Sequence, residues 1–225
     1  MDAAKELARK GCPEFTTVIA GRQTKGRGRL ERQWSSEKGG LYFTIVLRPD
    51  LPPVLSSRVG FLASLTLARM LNEMFGIDVR VKWPNDLLVY DRKICGMLSE
   101  LETEADRVMF INIGIGLNVN NNPPPTKPAA TSLKTILGRR VSRKAILSRY
   151  LDSFEAQMQA AAFDDVIERW KQFTVTLNRH VRVVTTRETF TGKAVDVDDT
   201  GALILRNADG SLKTIHFGDC FHQSS

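Results

Sequence analysis

The chain has 225 residues, 42% hydrophobic and 25% charged, which suits one large folded unit with a small appendage and excludes a fibrous or disordered protein. Lysine and arginine total 32 against 25 acidic residues, and the net charge of +7 calls for an anionic partner, either nucleic acid or phosphorylated small molecules. The three cysteines (Cys12, Cys95, Cys220) are far apart, the three histidines (His180, His216, His222) lack ligand spacing, and neither an apolar run about 18 residues long nor a signal-peptide pattern occurs; a disulfide framework, a side-chain metal site and a membrane span are not expected, and a reducing cytoplasm is.

Residues 3–10 read as a short helix, stopped by Gly11 with Pro13 beyond. Phe15–Ala20 is β-branched and reads as a strand. The polar, glycine-rich stretch Gly21–Gly40 is longer than an ordinary connection, and such loops are usually functional or disordered. Leu41–Leu47 is a buried strand, and Ser57–Phe75 has helical apolar spacing up to Gly76. Val79–Trp83, Leu87–Tyr90, Ile94–Leu101 and Val108–Val119 read as strands. Turns at Tyr90–Lys93 and Thr103–Asp106 make hairpins, so the sheet is mixed or antiparallel.

A proline- and asparagine-rich loop, Asn120–Pro128, separates this region from two helices, Ser142–Ala161 and Asp164–Phe173. From Val181 onward apolar and polar residues alternate, with turns at Asp199–Gly201 and Ala208–Gly210. That pattern predicts a small sandwich or barrel beginning near residue 177. The expected division is 1–176 and 177–225.

Three constellations could carry chemistry. In Gly26-Arg27-Gly28-Arg29, with Arg32 and Trp34 behind, glycines permit close backbone approach, arginines offer forked donors to phosphate or carboxylate, and the indole could stack on a flat ring. A solvated basic loop or a nucleic-acid segment fits the same residues. In Lys82-Trp83-Pro84-Asn85-Asp86, followed by Lys93-Ile94-Cys95-Gly96, a lysine could face a site beside Asp86 and neutralise a phosphoryl group under attack. An ordinary hairpin with a surface ion pair accounts for it equally. In Ile113-Gly114-Ile115-Gly116-Leu117-Asn118, the glycines mark close approach and Asn118 could meet an adenine edge, although strand packing with a turn residue is the simpler reading.

Together, in this order and spacing, the three motifs resemble the catalytic domain of biotin–protein ligases. The Lys82–Asp86 motif with Lys93 seven residues later is the most specific part, and the likeness spans nearly the whole chain. Ala130-Thr131-Ser132-Leu133 resembles the family's loop after the central sheet, and the tail from Val181 its small C-terminal β-domain. The resemblance implies an α/β (α+β) fold: a mixed, mainly antiparallel sheet packed with helices, then a small β-barrel of the Src-homology 3 type.

It further implies ATP-dependent joining of biotin to a lysine of a biotin carboxyl carrier protein, through biotinyl-5′-AMP, with ATP, Mg²⁺ and biotin as the small molecules. Gln23, Gly26, Arg27, Gly28, Arg29, Lys93 and Gly96 would contact biotin. Arg29, Arg32, Trp34, Lys93 and Asn118 would contact the nucleotide. Lys93, Arg29 and Asp86 would be catalytic, with Asp86 orienting or deprotonating the incoming lysine. Ile94 and Met97 could line the pocket for biotin's tail, or simply pack in the core.

Three departures from the family pattern bear on these expectations. The family's serine–threonine–asparagine tripeptide would end where Met1-Asp2-Ala3 begins, so either a truncated chain or a misplaced start is expected, and with it a biotin pocket that could lack one wall. Glu31 stands where the family often has glycine, adding a charge beside an anion site. No winged-helix segment precedes residue 1, so a ligase without DNA as partner is expected. A homodimer is open, with the Gly114–Asn120 strand as a candidate seam. Lipoate or octanoate ligases of the same superfamily, and a basic nucleic-acid-binding module, are the alternatives.

Overall fold

The computed structural model describes residues 1–30, 32–125, 129–160 and 163–223. Glu31, the expected loop end at Pro128, the expected helix end at Ala161 and the last two residues lie outside the described residues. Helix α1 (Asp2–Arg9) leads to strands β1 (Thr17–Ala20) and β2 (Leu41–Leu47), a short 3-10 turn (Pro53–Leu55) and helix α2 (Ser57–Phe75). Strands β3 (Val79–Lys82), β4 (Asp86–Val89), β5 (Arg92–Glu104) and β6 (Arg107–Leu117) follow, then helices α3 (Leu133–Leu137), α4 (Arg143–Gln159) and α5 (Val166–Lys171). Strands β7 (His180–Val184), β8 (Thr189–Val197), β9 (Leu203–Arg206), β10 (Leu212–Ile215) and β11 (Asp219–His222) form the remainder.

The first sheet has six strands in the order β1-β2-β6-β5-β4-β3, and all its paired strands are antiparallel. Parallel pairing is confined to isolated bridges, Val81 with Thr174 and Lys93 with Ala130. β2 is buried along its whole length because both its faces are covered. Val46 joins Ala4, Ala8 and Phe110 beneath α1, whereas Phe43, Ile45 and Leu47 enter the main core. β6 lies between β2 and β5, so its backbone is paired on both sides and offers no free edge for strand pairing across a dimer. The sheet edges are β1 and β3.

Helix α2 packs across this sheet, with α4 and α5 against it. By length and composition the span Pro53–Phe75 would suffice to cross a bilayer, yet Val59, Phe61, Leu62, Leu65, Leu67, Met70 and Leu71 are all buried within the core. It ends where Gly76 adopts φ +64°, the left-handed cap that glycine takes without strain. Between β4 and β5, Tyr90 and Asp91 both have positive φ, the geometry of a tight two-residue hairpin.

The second sheet has five strands in the order β10-β9-β8-β7-β11. This is the small C-terminal sheet domain that was expected; among the described residues β10 and β11 do not pair, so its ladder is not closed. Its apolar face does not form a separate core. Val181, Val183, Ala194, Leu203, Leu205 and Cys220 belong to the same buried cluster as α2 and the first sheet. The seam is also hydrogen-bonded: Trp83 Nε1 donates to the Gly201 carbonyl (2.9 Å), Arg58 Nε to that of Asp199 (3.0 Å) and Ser57 Oγ to that of Thr200 (2.6 Å).

Candidate active site

The three sequence constellations converge on one cavity of about 190 Å³. Its floor is the middle of β5 and β6, where Gly96 pairs with Gly116 and Leu98 with Gly114. One wall is the arginine–glycine loop, another is the turn from β3 to β4, and a third is Asp219–Phe221 of β11.

The loop is a narrow hairpin despite its length. Gly28 N–H donates to the Arg32 carbonyl (2.7 Å) and Trp34 N–H to that of Gly26 (2.9 Å), and Arg27 bridges Gln33. Glycine is required at 26 because a Cβ there would lie 2.3 Å from the Trp34 carbonyl oxygen. Trp34 then rests on the glycine floor. A Cβ on Gly116 would stand 2.6 Å from its indole, and one on Gly96 2.9 Å. The indole Nε1 is buried without a hydrogen-bond partner among the described residues, and Lys93 Nζ lies 5.3 Å from the ring centroid.

Arg29 reaches into the cavity, and its Nη1 is buried without a partner among the described residues. Burial lowers its pKa, opposed by the charges of Asp219 and Asp86. A desolvated guanidinium with a vacant donor beside a cavity is suited to a bound anion. Arg32 places Nη2 2.9 Å from Asp219 Oδ2, a charge contact without hydrogen-bond alignment, and its guanidinium lies 5.4 Å from the Phe221 ring centroid. Arg27 pairs with Asp2 and, at 3.3 Å, with Glu100. Gln23 accepts a hydrogen bond from Ser36 Oγ (2.6 Å).

Lys93 Nζ is 2.6 Å from Asp86 Oδ1, and Lys82 Nζ is 3.9 Å from Asp86 Oδ2. The backbone of Lys93 is held on both sides: its N–H donates to the Ala129 carbonyl (2.8 Å), and its carbonyl accepts from Thr131 (2.9 Å). The Ala130–Leu133 stretch thus fixes the strand that carries Lys93. Asn85 ties the β3–β4 turn to β5, accepting from Met97 N–H (2.9 Å) and donating through Nδ2 to the Met97 carbonyl.

Of the residues singled out in the sequence, Gln23, Arg27, Gly28, Arg29, Arg32, Trp34, Asp86, Lys93 and Gly96 line the cavity. Gly26 and Asn118 do not. Gly26 is packed under Trp34. The buried Asn118 side chain accepts from Asn121 Nδ2 (2.9 Å), bracing the turn after β6, because the chain bends there to bring α3 back against the sheet. Met97 lines the cavity, whereas Ile94 points into the core. The sequence reading missed Asp219, Cys220 and Phe221. They lie far along the chain in a strand of ordinary alternation, and no local signal marks them. Burial raises the Cys220 thiol to about 11, which keeps it protonated and inert at neutral pH. Among the described residues no cluster of three His, Cys, Asp or Glu side chains could hold a metal ion.

Residues 3–120 match the profile of the biotin/lipoate A/B protein ligase family, and residues 176–223 that of the biotin protein ligase C-terminal domain. This chain belongs to the biotin/lipoate A/B protein ligase family. Among relatives of this ligase, the bifunctional ligase/repressor BirA of Bacillus subtilis is 36% identical over 96% of this chain and 69% of its own length. The biotin–[acetyl-CoA-carboxylase] ligase of Paracoccus denitrificans is 30% identical over 86% of this chain and 85% of its own. Among solved structures, the Aquifex aeolicus biotin protein ligase in complex with biotin and ATP superposes with a TM-score of 0.82 at 29% identity, covering 99% of this ligase and 94% of that chain.

Proposed function

We propose that the cavity binds biotin and ATP side by side and joins them, and that the product is handed to a lysine of a biotin carboxyl carrier protein. The protein is a biotin–[biotin carboxyl carrier protein] ligase. The observation that carries the site assignment is the meeting of Arg29, with its vacant buried donor, and Lys93 over a floor of glycines. The likeness to a ligase solved with biotin and ATP supports it.

In this reading the biotin carboxylate attacks the α-phosphorus of ATP and pyrophosphate leaves. Both reactants are anions, so their approach needs fixed positive charge. Arg29 and Lys93 supply it where water is scarce and charge interactions are strong. Biotin's ring and tail would lie on the glycine floor near Gln23, Arg27, Gly28, Gly96 and Met97. Arg32 and Trp34 would flank the nucleotide. In the second step the carrier lysine loses a proton, which Asp86 is placed to accept, and its neutral amine attacks the acyl carbon of biotinyl-5′-AMP to release AMP. The position of Asn118 does not favour a direct contact with adenine.

Mg²⁺ would enter with the nucleotide. The three cavity carboxylates, Asp2, Asp86 and Asp219, are each engaged by a cation, so the phosphates and not side chains would hold it. A cytoplasmic location, activity without DNA as partner, and a division of the chain near residue 177 belong to the same proposal. A homodimer would not pair through the β6 backbone.

The test is biotin-dependent ATP–pyrophosphate exchange, with lipoate and octanoate as controls. Exchange with biotin alone is expected. Exchange with lipoate alone would overturn the substrate assignment in favour of the sibling enzymes.

A further inference from the structure

A second lysine lies beneath the one that the motif brings to notice. Lys82 ends β3, and its side chain is buried. Its Nζ donates to the Cys220 carbonyl at 2.5 Å and stands 3.9 Å from Asp86 Oδ2. Lys93 meets the other oxygen of the same carboxylate at 2.6 Å. Asp86 thus lies between two ammonium groups, one at each oxygen, and itself retains only 13% side-chain exposure. We propose that Lys82 is a positioning residue for the ligation: it keeps the Asp86 carboxylate paired and in place when Lys93 turns to the substrate anions. This inference rests on the functional reading above.

The two lysines differ in freedom. Lys82 retains 7% side-chain exposure and is tethered to β11, whereas Lys93 retains 26% and lies over the Trp34 ring at the cavity. Lys82 is held; Lys93 has room to shift. Were Lys93 the sole partner of Asp86, drawing it toward a carboxylate or phosphate would strand a nearly buried anion, the costly way to break an ion pair. A second cation at the far oxygen removes that penalty. It also leaves Asp86 facing the cavity for the incoming amine. The Cys220 carbonyl aims the Lys82 ammonium, so a strand 138 residues away sets the geometry of the β3–β4 turn.

The test compares Lys82→Met, Lys82→Gln and Lys82→Met/Asp86→Asn with the unaltered chain in biotin-dependent pyrophosphate exchange and in transfer to a carrier, with circular dichroism melts for the fold. Lys82→Met should lower the kcat of exchange about 100-fold, the scale of a misplaced reacting group. Lys82→Gln keeps a donor for the Cys220 carbonyl without the charge and should share the loss, which separates charge from structure. In Lys82→Met/Asp86→Asn nothing clamps Lys93, so exchange should recover by about tenfold while transfer to the carrier stays impaired. Near-normal exchange by folded Lys82→Gln would overturn the proposal, as would a double variant no better than Lys82→Met; the latter would show that Lys82 acts on substrate directly. Either result with an active unaltered chain removes the role of Lys82 alone. Absence of exchange in the unaltered chain refutes the functional reading, and this inference with it.

Discussion

Lys93 is the residue whose loss separates chemistry from folding most cleanly. Its backbone is locked by Ala129 and Thr131, so truncating the side chain leaves the strand pairing intact. Lys93→Ala should abolish biotin-dependent pyrophosphate exchange with little change in melting temperature; a folded variant with normal exchange would sink the assignment. Arg29 has a different part, because it lines the cavity where an anhydride intermediate would sit and its Nη1 has no partner among the described residues. Arg29→Ala should release biotinyl-5′-AMP into solution, detectable by chromatography after single-turnover incubation, and undiminished retention would refute that role. Gly116 tests the floor. A methyl group 2.6 Å from the Trp34 indole must displace the ring. Trp83 and Trp170 are buried and hydrogen-bonded elsewhere. Gly116→Ala should therefore shift tryptophan emission to the red and weaken substrate binding, whereas an unmoved spectrum would show that Trp34 does not need the bare backbone.

Strand β11 illustrates how one element can carry both stability and a site. His222 is part-buried at its end, and Arg179 donates to Nδ1 at 3.3 Å, which leaves the proton on Nε2. Burial first, then the charges of Lys82 and Arg179, push its pKa down to about 4, against Asp91. The ordinary value is 6.5. A folded pKa below the unfolded one means that the neutral ring contributes stability in full above pH 6.5, and that this is lost as pH falls toward and through about 4. The melting temperature should drop over that window, and His222→Gln should flatten the drop; an unaltered pH profile in the variant would refute the role of His222. Elements differed in how plainly the sequence announced them. β2 was legible because burial on both faces leaves an unbroken apolar run, and α2 because its apolar residues recur at helical spacing. The β5–β6 hairpin is longer than its apolar runs suggested, since Glu102, Thr103 and Glu104 continue the ladder and half-buried Glu102 is held by Lys5 and Arg9 of α1, not by apolar packing. β1 begins two residues late because Phe15 takes φ +61° and breaks the extended run. α3, which Ser132 caps by accepting from Thr135 N–H, is too short to leave a periodic signature. Within the cavity, motif residues clustered in sequence were visible, whereas Asp219 and Phe221 became visible only once the chain had folded back.

At the scale of the molecule, the two sheets share one buried cluster and are joined across a seam of hydrogen bonds from Ser57, Arg58 and Trp83. They should therefore unfold together, in a single calorimetric transition whose van't Hoff and measured enthalpies agree. Two resolved transitions would show that the seam is weaker than its burial suggests. The Lys82–Cys220 contact has a kinetic consequence as well. Contacts between residues so distant along the chain are costly to close, because the intervening loop loses entropy before they form. The helices and the β5–β6 hairpin are local and should assemble early. The last wall of the cavity is the one supplied by β11, so a refolding chain would regain its far-ultraviolet spectrum before it regained the power to make pyrophosphate from ATP.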